Sequence, residues 1–262
     1  MIALIPALLA LAAALLVMSV VWAVHLADED ASIVDPMWGP TIVLVGVVHS
    51  VASPVPLAGG RLLLILCAGA WATRLAWHLA RRHAQTGEDR RYKKMREARG
   101  ERWWWQSLFV VFTLQAALAW VVALPLMVGA TGSRTVGVVG GLGLALFLFG
   151  FFFEAIADGQ LARFKARDDS AGKVLDSGLW RFSRHPNYFG EAVVWWGLGL
   201  LALDLGFGAA AWWALAGPLL ITFLLLKVSG VTLTEADIAD RRPEYRDYVR
   251  RTSAFVPRPP KG

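Results

Sequence analysis

The sequence is poor in charge and has almost no cysteine. Of its 262 residues, 18% are charged and 56% are hydrophobic, and Cys67 is the only cysteine. A single thiol excludes an intramolecular disulfide and a cysteine-based metal site within one chain, and we expect no metal. The mean hydropathy of +0.51 is outside the usual range of soluble proteins. It indicates a polytopic membrane protein.

Two nucleotide-binding signatures are also missing. The chain has no GxGxxG after a predicted strand and no GxxxxGK[ST], so neither a Rossmann crevice nor a P-loop is expected. No Lys or Arg precedes Arg61. The N-terminal apolar run therefore lacks the basic region of a secretory signal and is predicted to be a retained span. Any nucleotide site would have to be built from helix ends and loops.

Seven apolar runs are long enough to cross a hydrocarbon layer of roughly 30 Å, which needs about 20 residues. They cover residues 2–24, 38–56, 60–80, 104–128, 135–157, 187–203 and 209–228. The second and sixth are short or interrupted by Pro and Gly, so six or eight spans remain alternatives. The predicted fold is an all-α integral membrane protein with about seven transmembrane helices in one bundle.

The basic residues are concentrated in three segments. Residues 81–102, 158–187 and 229–262 hold 22 of the 26 Lys and Arg. By the positive-inside rule these segments share the cytoplasmic side, which predicts an external N terminus and a cytoplasmic C terminus. This placement also argues against nucleic-acid binding as the reason for the net charge of +6.

No internal repeat or soluble domain is apparent, which predicts one membrane domain over residues 1–262. Within it, residues 1–80 carry three spans with few charges. Residues 81–262 carry four spans and most of the polar cytoplasmic chemistry. We expect the first part to serve the substrate and the second to bind a cofactor.

The stretch "SGLWRFSRHPNYFGEAVVWWG" places many polar groups where a span begins. Pro186 suits the first turn of a helix, so a helix is predicted to start at residue 185 or 186. Asn187, Glu191 and Trp195 then share one face. An ionised Glu191 inside the membrane costs at least roughly 2 kcal/mol unless it has a partner or faces water, so this face is a predicted site. The preceding bases Arg181, Arg184 and His185 suit an anion at the helix N terminus or, alternatively, are interfacial anchors.

A second polar stretch ends the fifth span. Glu154 and Asp158 are four residues apart, and Arg163 and Lys165 follow at the rim. Deep carboxylates and rim cations suit the hydroxyls and phosphates of a nucleotide. A helix end with snorkelling bases is the alternative, which explains the bases but not the carboxylates.

The tail and the first basic loop supply further candidates. The segment "TEADIADRRPEYRDYVRRT" predicts an amphipathic cytoplasmic helix. Its Tyr245 and Tyr248, beside Arg242 and Arg246, either flank an adenine or ribose or pack the tail on the protein. In the loop 81–102, the predicted contacts of Arg90, Arg91, Lys93 and Lys94 are lipid headgroups or a bound phosphate.

Together, "ADGQLARFK", "GLWRFSRHPNYFGE" and "TEADIADRRPEYRDYVRRTSAFVP" resemble the C-terminal half of the steroid 5-alpha-reductase superfamily. "VDPMWGP" and "TGEDRRYKKMR" extend the resemblance to its bacterial branch of membrane reductase-like proteins. The resemblance implies a seven-helix reductase that binds NADPH between its cytoplasmic loops and last helices, in a bacterial inner (cytoplasmic) membrane.

The same resemblance assigns roles to particular positions. Asp158 and Lys165 match an acidic and a basic cofactor contact, Asn187 and Glu191 match the pair that holds the nicotinamide end, and Trp195 matches an aromatic beside it. The tail positions near Glu235 would enclose the nucleotide. Taken with the polar stretches, the predicted cofactor contacts are Arg91, Glu154, Asp158, Arg163, Lys165, Arg181, Arg184, His185, Asn187, Tyr188, Glu191, Trp195, Glu235, Tyr245, Arg246 and Tyr248.

The substrate side departs from the steroid enzymes, which use a Glu and a Tyr of their second and third helices. Here the second span offers His49 and the third offers Arg74 and His78, so a 3-oxo-steroid is not implied. An interhelical hydrogen bond or an interfacial position is the alternative role of His49 and His78. With Asp35, these are the predicted donors to the enolate that forms as a conjugated double bond is reduced. A lipophilic substrate would enter from the bilayer, and no obligate protein partner is expected.

Two other functions remain. "RHPNYFGE" also resembles the isoprenylcysteine and phospholipid methyltransferases, which use RHPxYxG and a later Glu to bind S-adenosylmethionine. The bases of "ARFK" favour the reductase, because a sulfonium cofactor needs no strong phosphate cradle. The third alternative is a non-catalytic lipid-binding or transport protein whose polar face lines a path.

Overall fold

The computed structural model describes residues 3–55, 59–130, 135–235, 238 and 244–261. Within these ranges the regular structure is helical and no strand occurs. Seven of the described helical segments are long and apolar enough to cross a membrane: Leu4–Asp28, Ala31–Ala52, Gly59–Thr86, Arg90–Val122, Val138–Lys165, Pro186–Leu205 and Gly208–Glu235. The predicted fold class is confirmed, and the chain is a multi-pass membrane protein. The side that each terminus faces stays a prediction.

The α-helices of the described residues differ in length. They are α1 (Leu4–Asp28), α2 (Val34–Ala52), α3 (Gly59–Thr86), α4 (Arg90–Arg99), α5 (Trp103–Ser107), α6 (Leu114–Val122), α7 (Leu124–Gly129), α8 (Val138–Lys165), α9 (Pro186–Leu205), α10 (Ala216–Phe223), α11 (Val231–Glu235) and α12 (Tyr245–Arg251). Two π-helical segments, Leu108–Thr113 and Leu224–Val228, continue the fourth and seventh spans. A span can therefore contain several short helices.

The second and fourth spans begin earlier than hydropathy predicts. Asp30 accepts a hydrogen bond from the Ser32 N–H at 2.8 Å, and this cap starts the helical turn that leads into α2. Asp89 accepts one from the Arg91 N–H at 3.0 Å and caps α4. The basic loop 81–102 is thus largely helical. Side-chain caps set these starts, and a hydropathy run does not contain that information.

The chain is organised as two compact units. Unit 1 consists of Met1–Gly141 and Leu198–Gly217, and unit 2 consists of Leu142–Gly197 and Pro218–Gly262. The division falls within α8, α9 and α10, not at residue 80. The predicted division of labour between residues 1–80 and 81–262 concerns function and stays a prediction.

In unit 1, α2 packs against α1, α3, α6 and α7. Small residues allow the close approach: a Cβ added at Gly39 would lie 3.0 Å from the Ala72 Cα, and one added at Gly46 would lie 2.7 Å from the Leu126 Cβ. Helices in lipid associate through such close packing, because apolar side chains gain little by leaving lipid for protein.

In unit 2, α8 and α9 meet backbone to backbone. A Cβ added at Gly190 would lie 2.7 Å from the Glu154 backbone N, and one added at Gly150 would lie 2.6 Å from the Val194 backbone N. Such a crossing admits glycine and excludes larger residues. It also fixes the polar end of α8 beside the first turns of α9.

We expect Gly190→Ala to lower the stability of the protein by about 1–3 kcal/mol, because the nearest neighbours of the new methyl are backbone atoms and the Cβ of Glu154, which cannot rotate away. The measurement is the thermal unfolding midpoint in detergent, followed by tryptophan fluorescence.

The matched control is Gly141→Ala in α8, where no described atom lies within 4 Å of an added Cβ apart from the chain neighbours and the backbone of the helix itself. Because alanine has a greater helix propensity than glycine, the thermal unfolding midpoint of this variant should be unchanged or higher. Equal midpoints for the two variants would contradict the close crossing.

Candidate functional site

Two carboxylates are buried on α8. Glu154 and Asp158 are only 2% and 5% exposed. Asp158 Oδ1 accepts a hydrogen bond from Asn187 Nδ2 at 3.2 Å. The other side-chain atom of this amide, Asn187 Oδ1, is buried and has no hydrogen-bond partner among the described residues. Buried polar atoms nearly always find partners, so Asn187 Oδ1 is a free acceptor suited to an N–H of a ligand.

The rest of the predicted α9 face continues from this amide. The helix starts at Pro186, which confirms the predicted start. Glu191 lies one turn beyond Asn187 and is half-buried, and Trp195 lies one turn further and is fully buried. Both make further interactions within the protein. The predicted face therefore exists and joins the carboxylates of α8 at its first turn.

The two bases at the end of α8 are exposed. Arg163 Nε donates to the Gly159 carbonyl oxygen at 3.1 Å, and Lys165 is the last residue of the helix. The negative C-terminal end of the α8 dipole favours cations such as these. Their exposure agrees with the alternative that they are snorkelling bases at a helix end. They are also available to a phosphate, because their side chains reach solvent.

Arg184 and His185 share one carboxylate. Arg184 Nε and NH2 donate to Glu235 Oε1 and Oε2 at 2.8 and 3.0 Å, and His185 Nε2 lies 2.8 Å from Oε1. Arg184 NH1 also donates to the Thr252 carbonyl oxygen at 2.6 Å. Burial lowers the pKa of Arg184, but the bonds to Glu235 outweigh it and the net pKa is raised. This cluster, the Glu235 clamp, ties the start of α9 to α11 and the tail.

The two tail tyrosines complete the clamp. Tyr245 OH donates to Glu235 Oε1 at 3.1 Å. Tyr248 OH donates to the carbonyl oxygens of Trp180 and Ser183. Both rings are buried, and burial with the nearby Glu235 charge raises the pKa of Tyr245. The two tyrosines pack the tail on the protein, which is the alternative to flanking an adenine or ribose.

The remaining cofactor candidates of unit 2 are more scattered. Tyr188 stacks on the His185 ring with centroids 5.3 Å apart. Arg246 is exposed, and Arg181 lines a cleft of about 420 Å³ together with Arg251 and others. Of the amphipathic helix predicted over residues 234–252, α12 covers Tyr245–Arg251 and α11 ends at Glu235. Residues 236–237 and 239–243, including Arg242, lie outside the described residues.

In unit 1, Asp35 and Arg91 are hydrogen-bonded to each other, although Asp35 is a predicted proton donor and Arg91 a predicted cofactor contact. Arg91 NH2 donates to Asp35 Oδ2 at 2.8 Å, and Tyr92 OH donates to Asp35 Oδ1 at 2.7 Å. Arg91 also binds Asp89. Burial raises the pKa of Asp89, but the bonds from Arg91 outweigh it and the net pKa is lowered. Sequence reasoning missed Tyr92; its one signal was an aromatic residue inside an otherwise charged helix.

The predicted donors Asp35 and His49 lie at opposite ends of α2. Asp35 lies in its first turn and His49 in its last, about 20 Å apart along the axis. His49 is fully buried, and neither ring nitrogen has a hydrogen-bond partner among the described residues. Arg74 and His78 of α3 are part-buried and have interaction partners. Because Gly39 meets Ala72, α3 places them toward the Asp35 end.

We expect Arg184→Lys to loosen the tail, because an ammonium cannot make the two parallel bonds to Glu235 and still reach the Thr252 carbonyl. Losing bonds to a charged group predicts a fall of about 1.5–3 kcal/mol in the local opening free energy of α12. The measurement is hydrogen exchange of the amides of residues 245–252 in the full chain.

Arg250→Lys is the matched control, because its ion pair with Asp247 is exposed and such pairs contribute about 0–1 kcal/mol. Equal exchange in the Arg184 variant and the unmodified protein would show that the clamp does not hold the tail.

Comparison with known proteins identifies the family of the chain. The model of the family described as "Protein of unknown function (DUF1295)" matches residues 21–252. An uncharacterized protein of Schizosaccharomyces pombe is 27% identical, over 92% of this chain and 76% of the relative. A protein named "Steroid 5-alpha-reductase DET2", of Gossypium hirsutum, is 34% identical over 67 residues, which are 25% of this chain and 26% of that protein. No solved structure matches the chain.

The family match covers most of the chain, whereas the match to a named reductase covers a quarter of it. The relative aligned along most of the chain is from a fission yeast, so the bacterial branch stays a prediction. The predicted superfamily is confirmed: the chain belongs to the DUF1295 family, a member of the steroid 5-alpha-reductase-like group.

Proposed function

We propose that the protein is an NADPH-dependent reductase of a carbon–carbon double bond in a lipophilic substrate, acting in a bacterial inner membrane. Membership of the steroid 5-alpha-reductase-like group supports a reductase. The single observation that carries the proposal is the buried cluster of Glu154, Asp158 and Asn187, in which Asn187 Oδ1 lacks a partner among the described residues.

The residues of unit 2 fit the chemistry of this cofactor. A nicotinamide carboxamide has an NH₂ group, which is the donor that Asn187 Oδ1 lacks, and Asp158 holds the amide in the orientation that leaves this oxygen free. The exposed Arg163 and Lys165 would hold phosphates, and a guanidinium suits the 2′-phosphate that distinguishes NADPH from NADH. When bound, the cofactor supplies the hydride; the chain's task is to orient it and to exclude water.

The proton donor is proposed from unit 1. Asp35, His49, Arg74 and His78 stay predicted candidates, and the Asp35–Tyr92 pair adds a phenol hydrogen-bonded to a carboxylate. In this structure the single phenolic proton of Tyr92 is donated to Asp35 Oδ1, so it would have to turn from Asp35 to the enone oxygen, on which negative charge develops during the reduction. The steroid enzymes use a Glu and a Tyr of their second and third helices for this task; the chain departs from them there, and Tyr92 of α4 would supply a phenol instead.

A methyltransferase that uses S-adenosylmethionine is the second candidate. The observation in its favour is the clamp itself, in which the RHP stretch meets the later Glu235. Glu235 is already paired with Arg184 and hydrogen-bonded by Tyr245, however, which leaves it little negative charge to offer a sulfonium. The exposed bases of α8 favour the phosphorylated cofactor.

We expect the detergent-purified protein to bind NADPH, and Asn187→Ala to weaken binding about tenfold through loss of the carboxamide contact. The measurement is calorimetric titration with NADPH and, separately, with S-adenosylmethionine. Gln106→Ala in α5 is the matched truncation of an amide outside the cluster and should bind normally. Absence of NADPH binding at submillimolar concentration would reject the reductase, and binding of S-adenosylmethionine alone would favour the second candidate.

We expect Tyr92→Phe to lower the rate of enone-dependent NADPH oxidation about hundredfold or more, as for loss of a general acid. The measurement is kcat in reconstituted membranes with the lipophilic enone that the unmodified protein reduces fastest. The unfolding midpoint should fall, because the bond to Asp35 is lost, but the affinity for NADPH should stay unchanged, which separates donation from folding. An unchanged kcat would exclude Tyr92 as the donor.

A further inference from the structure

Unit 1 contains a cleft that the proposed reaction does not use. It has a volume of about 430 Å³ and lies where the end of α1 meets the segment from α4 to α5. Its size falls within the range of small-molecule sites. Its lining includes His25, Glu29, Glu97, Glu101, Trp103 and Trp104.

The charge of this cleft is negative. Glu29, Glu97 and Glu101 are exposed carboxylates on its wall. The one cation of the lining, Arg96, is already bound to Glu88, with its NH2 2.6 Å from Oε2. Three carboxylates therefore face the cleft with no other cation in its described lining, and a cationic ligand would relieve their repulsion.

A buried imidazole also lines the cleft. His25 is only 1% exposed; the backbone of Asp30 interacts with its ring, but neither ring nitrogen has a hydrogen bond of normal geometry among the described residues. Its ring stacks on Phe112 at 5.5 Å and meets the Trp103 ring edge-on at 6.0 Å, so packing holds it in place. A neutral imidazole has one acceptor nitrogen, and a buried one is stabilised by an N–H donor. The ligand should therefore be a cation that carries N–H groups.

The described residues include no group of three His, Cys, Asp or Glu side chains placed to hold a metal ion. An organic ammonium is the alternative cation, and indole faces attract it. Trp104 is largely exposed on the cleft wall, and its carbonyl oxygen is held by Trp22 Nε1 at 3.0 Å. The required N–H donors favour a primary over a quaternary ammonium.

We propose that this cleft binds a primary ammonium group, supplied by the headgroup of an aminophospholipid or by a soluble amine. Glu29, Glu97 and Glu101 attract the charge, Trp104 offers an aromatic face, and His25 accepts one N–H. The site is independent of the proposed reduction, because it shares none of its residues with the donor candidates or with the Glu154, Asp158 and Asn187 cluster.

The test is native mass spectrometry of the full chain, purified and then mixed with equal amounts of phosphatidylethanolamine and phosphatidylcholine. We expect about tenfold preference for phosphatidylethanolamine. The triple variant Glu29→Gln, Glu97→Gln, Glu101→Gln should lose that preference; its three side chains are exposed, so it should fold. Glu244→Gln, at an exposed position of unit 2, should keep it.

A second arm identifies the source of the ammonium. Calorimetric titration with ethanolamine tests the soluble amine, with choline as the quaternary control. Binding of ethanolamine but not choline, lost in the triple variant, supports a soluble amine even if the two lipids bind equally. Equal binding of both lipids together with no ethanolamine binding overturns the proposal, and so does an unchanged preference in the triple variant.

Discussion

The backbone contact between α8 and α9 determines where the polar chemistry of unit 2 can lie. At Gly190 the two helices are so close that a Cβ would be 2.7 Å from the backbone of Glu154. The Glu154 and Asp158 side chains on α8 are buried near this contact. A carboxylate there needs partners, and Asp158 finds one in Asn187, at the first turn of the opposite helix. The crossing brings together the carboxylates and the amide.

The stretch before α9 serves a different purpose from the turn that follows it. The hydrogen-bonding groups of Arg184 and His185 are taken up by the protein, in bonds to Glu235 and to the tail carbonyls. Two residues later, Asn187 has an acceptor with no partner among the described residues. The bases thus secure the tail, whereas the amide is left open to a ligand. An anion at this helix start would have to compete with Glu235 for Arg184.

The seven spans and the start of α9 followed from hydropathy and from Pro186, because both are local properties of the chain. The partners within unit 2 were harder to foresee. A helical period shows that Asn187 and Glu191 share a face, but only tertiary packing sets Asp158 opposite that face. Tyr92 was missed for the same reason: it is 57 residues from Asp35 in the chain. It lies in a basic loop whose composition predicted contacts with lipid or phosphate.

The two ends of α2 also differ in what their polar groups can do. At the His49 end, Arg61 is buried and donates to the carbonyl oxygens of Val55 and Ala130, a cation held by backbone dipoles. At the Asp35 end, the Arg91 guanidinium and the buried Tyr92 phenol both donate to the Asp35 carboxylate, and Asp35 and Arg91 are partly open to solvent. A proton donor must be resupplied after each turnover, and only the second network reaches water. Since a single reacting carbon cannot be served from points about 20 Å apart, the Asp35 end is the better location for the donor.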